Sequence, residues 1–218
     1  MPGMRTVARR VPKLDEWVAG TRRPTLEQVE KFASDTHTPF GLLVLPGPPV
    51  EDLPISDMRT MGKAAVPRPS ADLLDTIYLR QARQDWYRTY VQENDVREPG
   101  FVGSATTETA PTLVADQMRD LLGFELTERS TFSSWEDALR RLIDRIEGLG
   151  VLAMVNGVVG ANTHRKLDPR ESRGFALSDP LAPLIFVNGA DTKAAQIFTM
   201  VHELAHIWLG GSACLMRP

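Results

Sequence analysis

At 218 residues, with 42% hydrophobic and 24% charged side chains, the chain has room for one sizeable domain and a smaller appendage, and it is neither a disordered tract nor a fibre. A net charge of −3 excludes a chain-wide electrostatic footprint for nucleic acid, yet Arg5, Arg9, Arg10, Lys13, Arg22 and Arg23 outnumber Asp15 and Glu16 near the N-terminal end. That segment reads either as a solvated basic end or as a phosphate-binding arm. The single cysteine, Cys214, rules out an internal disulfide, and with no apolar leader and no membrane-spanning stretch a soluble, cytoplasmic protein is expected.

In chain order, residues 12–45 predict two short helices and a tail. Leu14, Trp17 and Val18 lie on the first helix, which Gly20 closes; Thr25 and Gln28 form a capping box that opens the second, with Leu26, Val29, Phe32 and Ala33 as its apolar face. Pro46, Pro48, Pro49 and Pro54 then predict an extended linker, because each ring fixes φ and restrains the residue before it. The expected division is a helical segment over 1–50, a proline-rich linker over 51–69 and a main domain over 70–218.

Ser70 is placed to cap a long helix running towards Asn94, with Leu74, Ile77, Tyr78, Gln81, Trp86 and Tyr90 near the helical period and the aromatic rings expected in the core. A second helix is expected from Pro111 to Gly123. A third follows the Ser133 to Glu136 capping box, turning Leu139, Leu142, Ile143 and Ile146 inward. From Gly150 the pattern changes to short β-prone runs at residues 151–155, 158–161, 174–177 and 184–188, which predict a small sheet. Helices, then a sheet, then one last helix give an α+β class.

The last helix is expected to start at an Asp191 N-cap and stop at Gly210 and Gly211, with Ala194, Ile197, Phe198, Val201, Ala205 and Trp208 packing inward. It contains His202-Glu203-Leu204-Ala205-His206. Histidines four residues apart stand one turn above each other and can offer two imidazole nitrogens to one Zn²⁺, while Glu203, about 100° further round the helix, is free to act on a proton. Zinc lowers the pKa of its bound water towards about 7 and polarises a carbonyl, so the expected chemistry is peptide-bond hydrolysis with His202 and His206 as ligands and Glu203 as general base. The bland alternative is two surface histidines on a core helix.

A third protein ligand normally completes such a site. Residues 207–218 contain no His, Asp or Glu, and Leu209 and Ser212 stand where the extended metzincin motif needs Gly and His. Cys214 is the remaining candidate there.

Beyond the motif, Gly174-Phe175-Ala176-Leu177, residues 183–188 (Pro-Leu-Ile-Phe-Val-Asn) and the run Phe198-Thr199-Met200-Val201 leading into His202 resemble, in this order, the ImmA/IrrE family of metallopeptidases. The stretches at residues 17–20, 23–28 and 39–49 resemble the end of the Xre-type helix-turn-helix module often fused to that family. The resemblance implies a zincin-like metallopeptidase domain preceded by a short helical segment. It also implies a cytoplasmic, zinc-dependent protease acting on a specific protein partner, a repressor or antitoxin-like regulator. The family's third ligand is a Glu on a helix beyond the motif, so the metallopeptidase domain reads as truncated after the zinc helix. The alternative function is a catalytically incomplete toxin-antitoxin or regulatory component that holds a partner without cleaving it. The Xre-like portion lacks the first helices of its module, so DNA binding is not expected for this chain alone.

Three further positions are candidate substrate contacts. The strand bearing Leu184 and Phe186 resembles the edge strand along which such enzymes align a peptide, or it is core sheet. His164 lies in an expected polar loop, either at the surface or approaching the zinc cleft. Asp168, Glu171 and Asp179 are equally open, and His37 has no assigned role.

Overall fold

The computed structural model describes residues 11, 13–36, 38–47, 55, 69–123, 127 and 131–215. The proline-rich linker apart from Ile55 and Pro69, together with His37 and the basic residues Arg5, Arg9 and Arg10, therefore lies outside the described residues. The chain divides into two compact units, Met1–Asp52 and Leu53–Pro218.

The first unit contains helices α1 (Leu14–Val18), α2 (Leu26–Thr36) and α3 (Phe40–Leu43). Both bonds of a capping box are formed at α2: the Thr25 amide donates to Gln28 Oε1 at 3.0 Å and the Gln28 amide donates to Thr25 Oγ1 at 3.3 Å. The Trp17 and Phe32 rings meet edge to face at 6.4 Å.

The second unit is α+β. Helices α4 (Ala71–Glu93), α5 (Pro111–Leu122) and α6 (Trp135–Gly148) precede β1 (Leu152–Asn156), β2 (Val158–Val159), β3 (Asn162–Lys166), β4 (Gly174–Leu177) and β5 (Leu184–Asn188); then come α7 (Lys193–Trp208) and β6 (Ala213–Leu215). Ser70 caps α4 by accepting from the Leu73 amide, and Pro111 opens α5, which closes at Gly123 with φ of 59°. The cap of α6 is one residue later than the sequence reading: Ser134 accepts from the Asp137 amide, and the Asp137 carboxylate reaches back to the Ser133 amide.

The main sheet has the order β1-β5-β4-β6, with β1 and β5 parallel and the other pairings antiparallel. β6, which the sequence reading missed, pairs Cys214 with Phe175 at the sheet's edge. The polar stretch read as a loop is β3, which pairs with β2 in a separate hairpin.

Both faces of this sheet are covered, which is why every residue of β5 is buried. Alternation sends Ala176, Ile185 and Val187 into one cluster with Met200, Leu204, Ile207 and Trp208 of α7, together with residues of α5 and α6. Phe175, Leu177, Leu184 and Phe186 enter the opposite cluster with Leu73 and Ile77 of α4. Gly174 sets the spacing on the α7 side, because a Cβ there would lie 2.6 Å from both the Phe186 carbonyl oxygen and Thr199 Cγ2.

On α4 the buried stripe is Leu73, Thr76, Ile77, Arg80, Gln84 and Val91. The expected inward turn of Trp86 and Tyr90 is corrected: Trp86 is 69% exposed and stacks on Tyr90 at 6.1 Å on the outer surface. Polar contacts fix the helix to the sheet: Gln84 Nε2 donates to the carbonyls of Leu177 at 2.9 Å and Ala182 at 2.8 Å, while Arg165 pairs with Asp72 and Asp75, each at 2.7 Å.

Candidate metal centre

Helix α7 starts one residue later than expected, with Thr192 as N-cap accepting from the Ala195 amide, while Asp191 Oδ1 accepts from the Thr192 amide. Gln196 is fully buried and donates to the carbonyls of Gly189 and Asp191, tying the start of the helix to the turn after β5. At the other end, the amides of Gly103 and Ala105 donate to the carbonyls of Ile207 and Trp208, each at 3.0 Å, and Phe101 stacks on Trp208 at 4.1 Å. These contacts satisfy terminal carbonyls that the helix itself cannot.

The orientation of α7 corrects the sequence reading. Its buried stripe is Gln196, Thr199, Met200, Glu203, Leu204, Ile207 and Trp208. Phe198 is 59% exposed and Val201 39% exposed, so these two turn outward, while Trp208 is buried and Ile197 and Ala205 pack against the core as expected. This orientation makes Glu203 fully buried and leaves His202 and His206 half-buried along the border of the stripe.

The two imidazoles converge. His202 Nε2 and His206 Nε2 are 3.2 Å apart, with the rings edge to face at 4.9 Å between centroids, and Phe198 stacks against His202 at 5.9 Å. Two nitrogen ligands at about 2.05 Å from one tetrahedral ion stand about 3.3 Å apart, so this separation fits a shared cation. The chemistry of the donor set also fits, since neutral imidazole suits zinc and the adjacent acid lies outside the pair.

Among the described residues no group of three His, Cys, Asp or Glu is gathered to hold a metal. Cys214, the candidate third ligand, is placed elsewhere: it sits 3.3 Å from Ser172 Oγ and packs with Phe175 and Phe186 on the sheet face opposite α7. The edge-strand reading of Leu184 and Phe186 is likewise corrected. β5 is an interior strand with partners on both sides, and both side chains are buried on the α4 face. His164 is exposed on β3, where its amide donates to Asn162 Oδ1, and the neighbouring Arg165 reaches α4. Asp168 caps the turn before β4 by accepting from the Arg170 amide, and Glu171 accepts from Ser70. Burial pushes the Asp179 carboxyl up, but hydrogen bonds from Arg88 and from the amides of Ala182 and Leu181 outweigh it and hold it below its usual value. None of these three contacts involves the imidazole pair.

No helix among the described residues is long and apolar enough to cross a membrane. Neither a curated protein nor a solved structure matched the chain. Residues 150–214, less than a third of the chain, match the family model described as IrrE N-terminal-like domain, Peptidase_M78. The matched stretch runs from the start of β1 into β6 and contains the histidine helix, and over it the chain is similar to the metallopeptidases of the ImmA/IrrE type.

Proposed function

We propose that the chain is a zinc-dependent peptidase domain that cuts a peptide bond in a specific regulatory protein, with His202 and His206 holding the ion and Glu203 moving the proton. The observation that carries this reading is the 3.2 Å approach of the two Nε2 atoms beside a fully buried carboxylate on the same helix. Zinc bound there would supply a Lewis acid that activates water and polarises the scissile carbonyl. Glu203 is placed to accept a proton from the attacking water and return it to the leaving amine. His202 and His206 would hold the ion from two sides of its coordination, and a further donor would come from water, substrate or a residue outside the described ones.

Metal analysis of protein purified without chelator tests the assignment. Near-stoichiometric zinc that falls in His202→Ala and His206→Ala, and stays in Glu203→Gln, is the expected result. Hydrolysis of a quenched-fluorescent peptide library should disappear in Glu203→Gln. Zinc content indifferent to both histidines would remove the site, and full activity in Glu203→Gln would remove the proton-transfer role.

The second reading, a component that holds a regulatory partner without cutting it, is favoured by the presence of only two gathered donors among the described residues. It requires a stable complex with an intact partner that survives Glu203→Gln. Cleavage dependent on Glu203 would exclude it. The likeness of α1–α3 to the end of an Xre-type module adds a docking segment to either reading, and salt-dependent DNA binding by the chain would revise that role.

A further inference from the structure

The outward face of α7 poses a question that the metal pair does not answer. Phe198, Val201 and Leu209 are apolar, exposed and on the arc of helix adjoining the imidazoles. At the C-terminal end of that arc the surface folds into a cavity of about 300 Å³. Its walls are Ala205 and Leu209 of α7 and Val114, Ala115 and Met118 of α5, closed by Pro111. Thr106, Thr107 and Thr109 also line it, and no charged side chain does.

Position relative to the histidines is set by helix geometry. Ala205 follows His202 by three residues and Leu209 follows His206 by three, and residues three apart are surface neighbours on a helix. The wall of the cavity is therefore the strip of α7 next to the two imidazoles. The threonine side is pinned as well. Its turn is closed by the Thr106 amide donating to Thr109 Oγ1 at 2.9 Å, and the chain just before it is bonded through Gly103 and Ala105 to the last carbonyls of α7. At that junction, a Cβ on Gly210 would lie 3.0 Å from Gly103 Cα, so the two backbones are in close contact. Cavity and imidazole pair thus hang from one rigid helix end and keep a fixed register.

Size and lining select the occupant. Small-molecule and cofactor sites run from about 300 to 1,000 Å³. This cavity lies at the lower limit, which suits one large side chain. An apolar lining with hydroxyls as its only polar side-chain groups would strip the hydration from a charged group without offering it a partner. We propose that this cavity is the specificity pocket for one large apolar side chain, of the leucine, methionine or phenylalanine kind, on the peptide presented to the imidazole pair. This inference rests on the peptidase reading above, and it names the residue class that the substrate carries beside the bond to be cut.

The test uses the full chain and needs no natural substrate. Methyl NMR of Met118, Val114 and Leu209 is recorded during titration with N-acetyl-leucinamide, N-acetyl-phenylalaninamide and the N-acetyl amide of aspartic acid. Shifts confined to these methyls with the two apolar amides, absent with the acidic one and abolished in Ala115→Trp, are expected. Ala115 is exposed on α5, so the indole fills the cavity without entering the core. Equal zinc content and an equal unfolding midpoint in the variant check that fold and metal pair are intact. In the peptide library, Ala115→Trp should lower kcat/KM by about tenfold or more for peptides with a large apolar residue, while those with alanine at that position change little. Shifts that survive Ala115→Trp, no shifts in the zinc-loaded chain, or an equal loss for large and small residues would overturn the pocket. Absence of zinc and of cleavage in a chain that still shows the shifts would overturn the peptidase reading and leave the pocket standing.

Discussion

The two faces of the main sheet are built from the same four strands and differ in what their polar groups do. On the α4 face each major polar group has a named partner within the protein: Gln84 bonds two carbonyls, Arg165 grips two aspartates and Arg88 holds Asp179. On the α7 face Gln196 likewise bonds two carbonyls, but further along the helix two imidazoles point at each other, and a buried carboxylate stands next to one of them in sequence. The first face is tied together by side-chain bonds between helix and sheet, and the second carries the residues proposed for the chemistry. The lesson is that a buried polar residue is read from the elements it joins and the groups gathered round it, and not from burial alone.

Four substitutions put that contrast at risk. Phe186→Ala should be the most damaging, at about 3–5 kcal/mol in denaturant unfolding, because it removes a ring stacked on Phe175 and lying beneath Arg80. A loss under about 1 kcal/mol would mean that the α4 face is not the structural one. Gln84→Leu leaves two buried carbonyls without their donor and should cost about 2 kcal/mol, read as a shift in urea midpoint at constant m-value.

Asp179→Asn should cost about 1 kcal/mol near neutral pH and little in acid. The folded pKa of Asp179 lies below its ordinary value of 3.8. The carboxylate therefore stabilises the fold above that value, and its contribution fades as pH falls through the lower, folded value. A stability difference between variant and parent that does not shrink below pH 3.8 would sink this assignment.

Glu203→Gln should have the smallest effect on stability, within about 1 kcal/mol, since the amide keeps the shape of the carboxylate in the same buried setting. A loss of about 3 kcal/mol would make Glu203 a structural residue and erase the distinction between the faces.

Much of this arrangement can be read from local sequence. Ser70, Pro111 and Gly123 mark helix ends by cap chemistry that acts within one turn, and β4 and β5 appear at their expected positions. The His202 and His206 spacing is local too, which is why their convergence can be anticipated. What escapes is set by distant partners. Phe198 and Val201 have the period of a core stripe, yet Gln196, Thr199 and Glu203 take the inward positions, the first because it bonds the carbonyls of Gly189 and Asp191. Likewise Asn162–Lys166 has no apolar alternation, because β3 pairs in an exposed hairpin whose Arg165 is held by charge. Whether Leu184–Asn188 is interior or peripheral depends on β1 and β4 flanking it, which no window of sequence contains.

Gly174 sits on β4 with no ionisable group of its own, yet it determines how near α7 may rest to the strands. A single added methyl there would meet Thr199, and Glu203 lies one turn further along the same side of that helix. Such a wedge would tilt the whole rod and swing the acid away from its setting while leaving His202 and His206 in mutual register. On the proposed function, the chain would then hold its cation and lose cleavage, through an alteration at a position that touches neither.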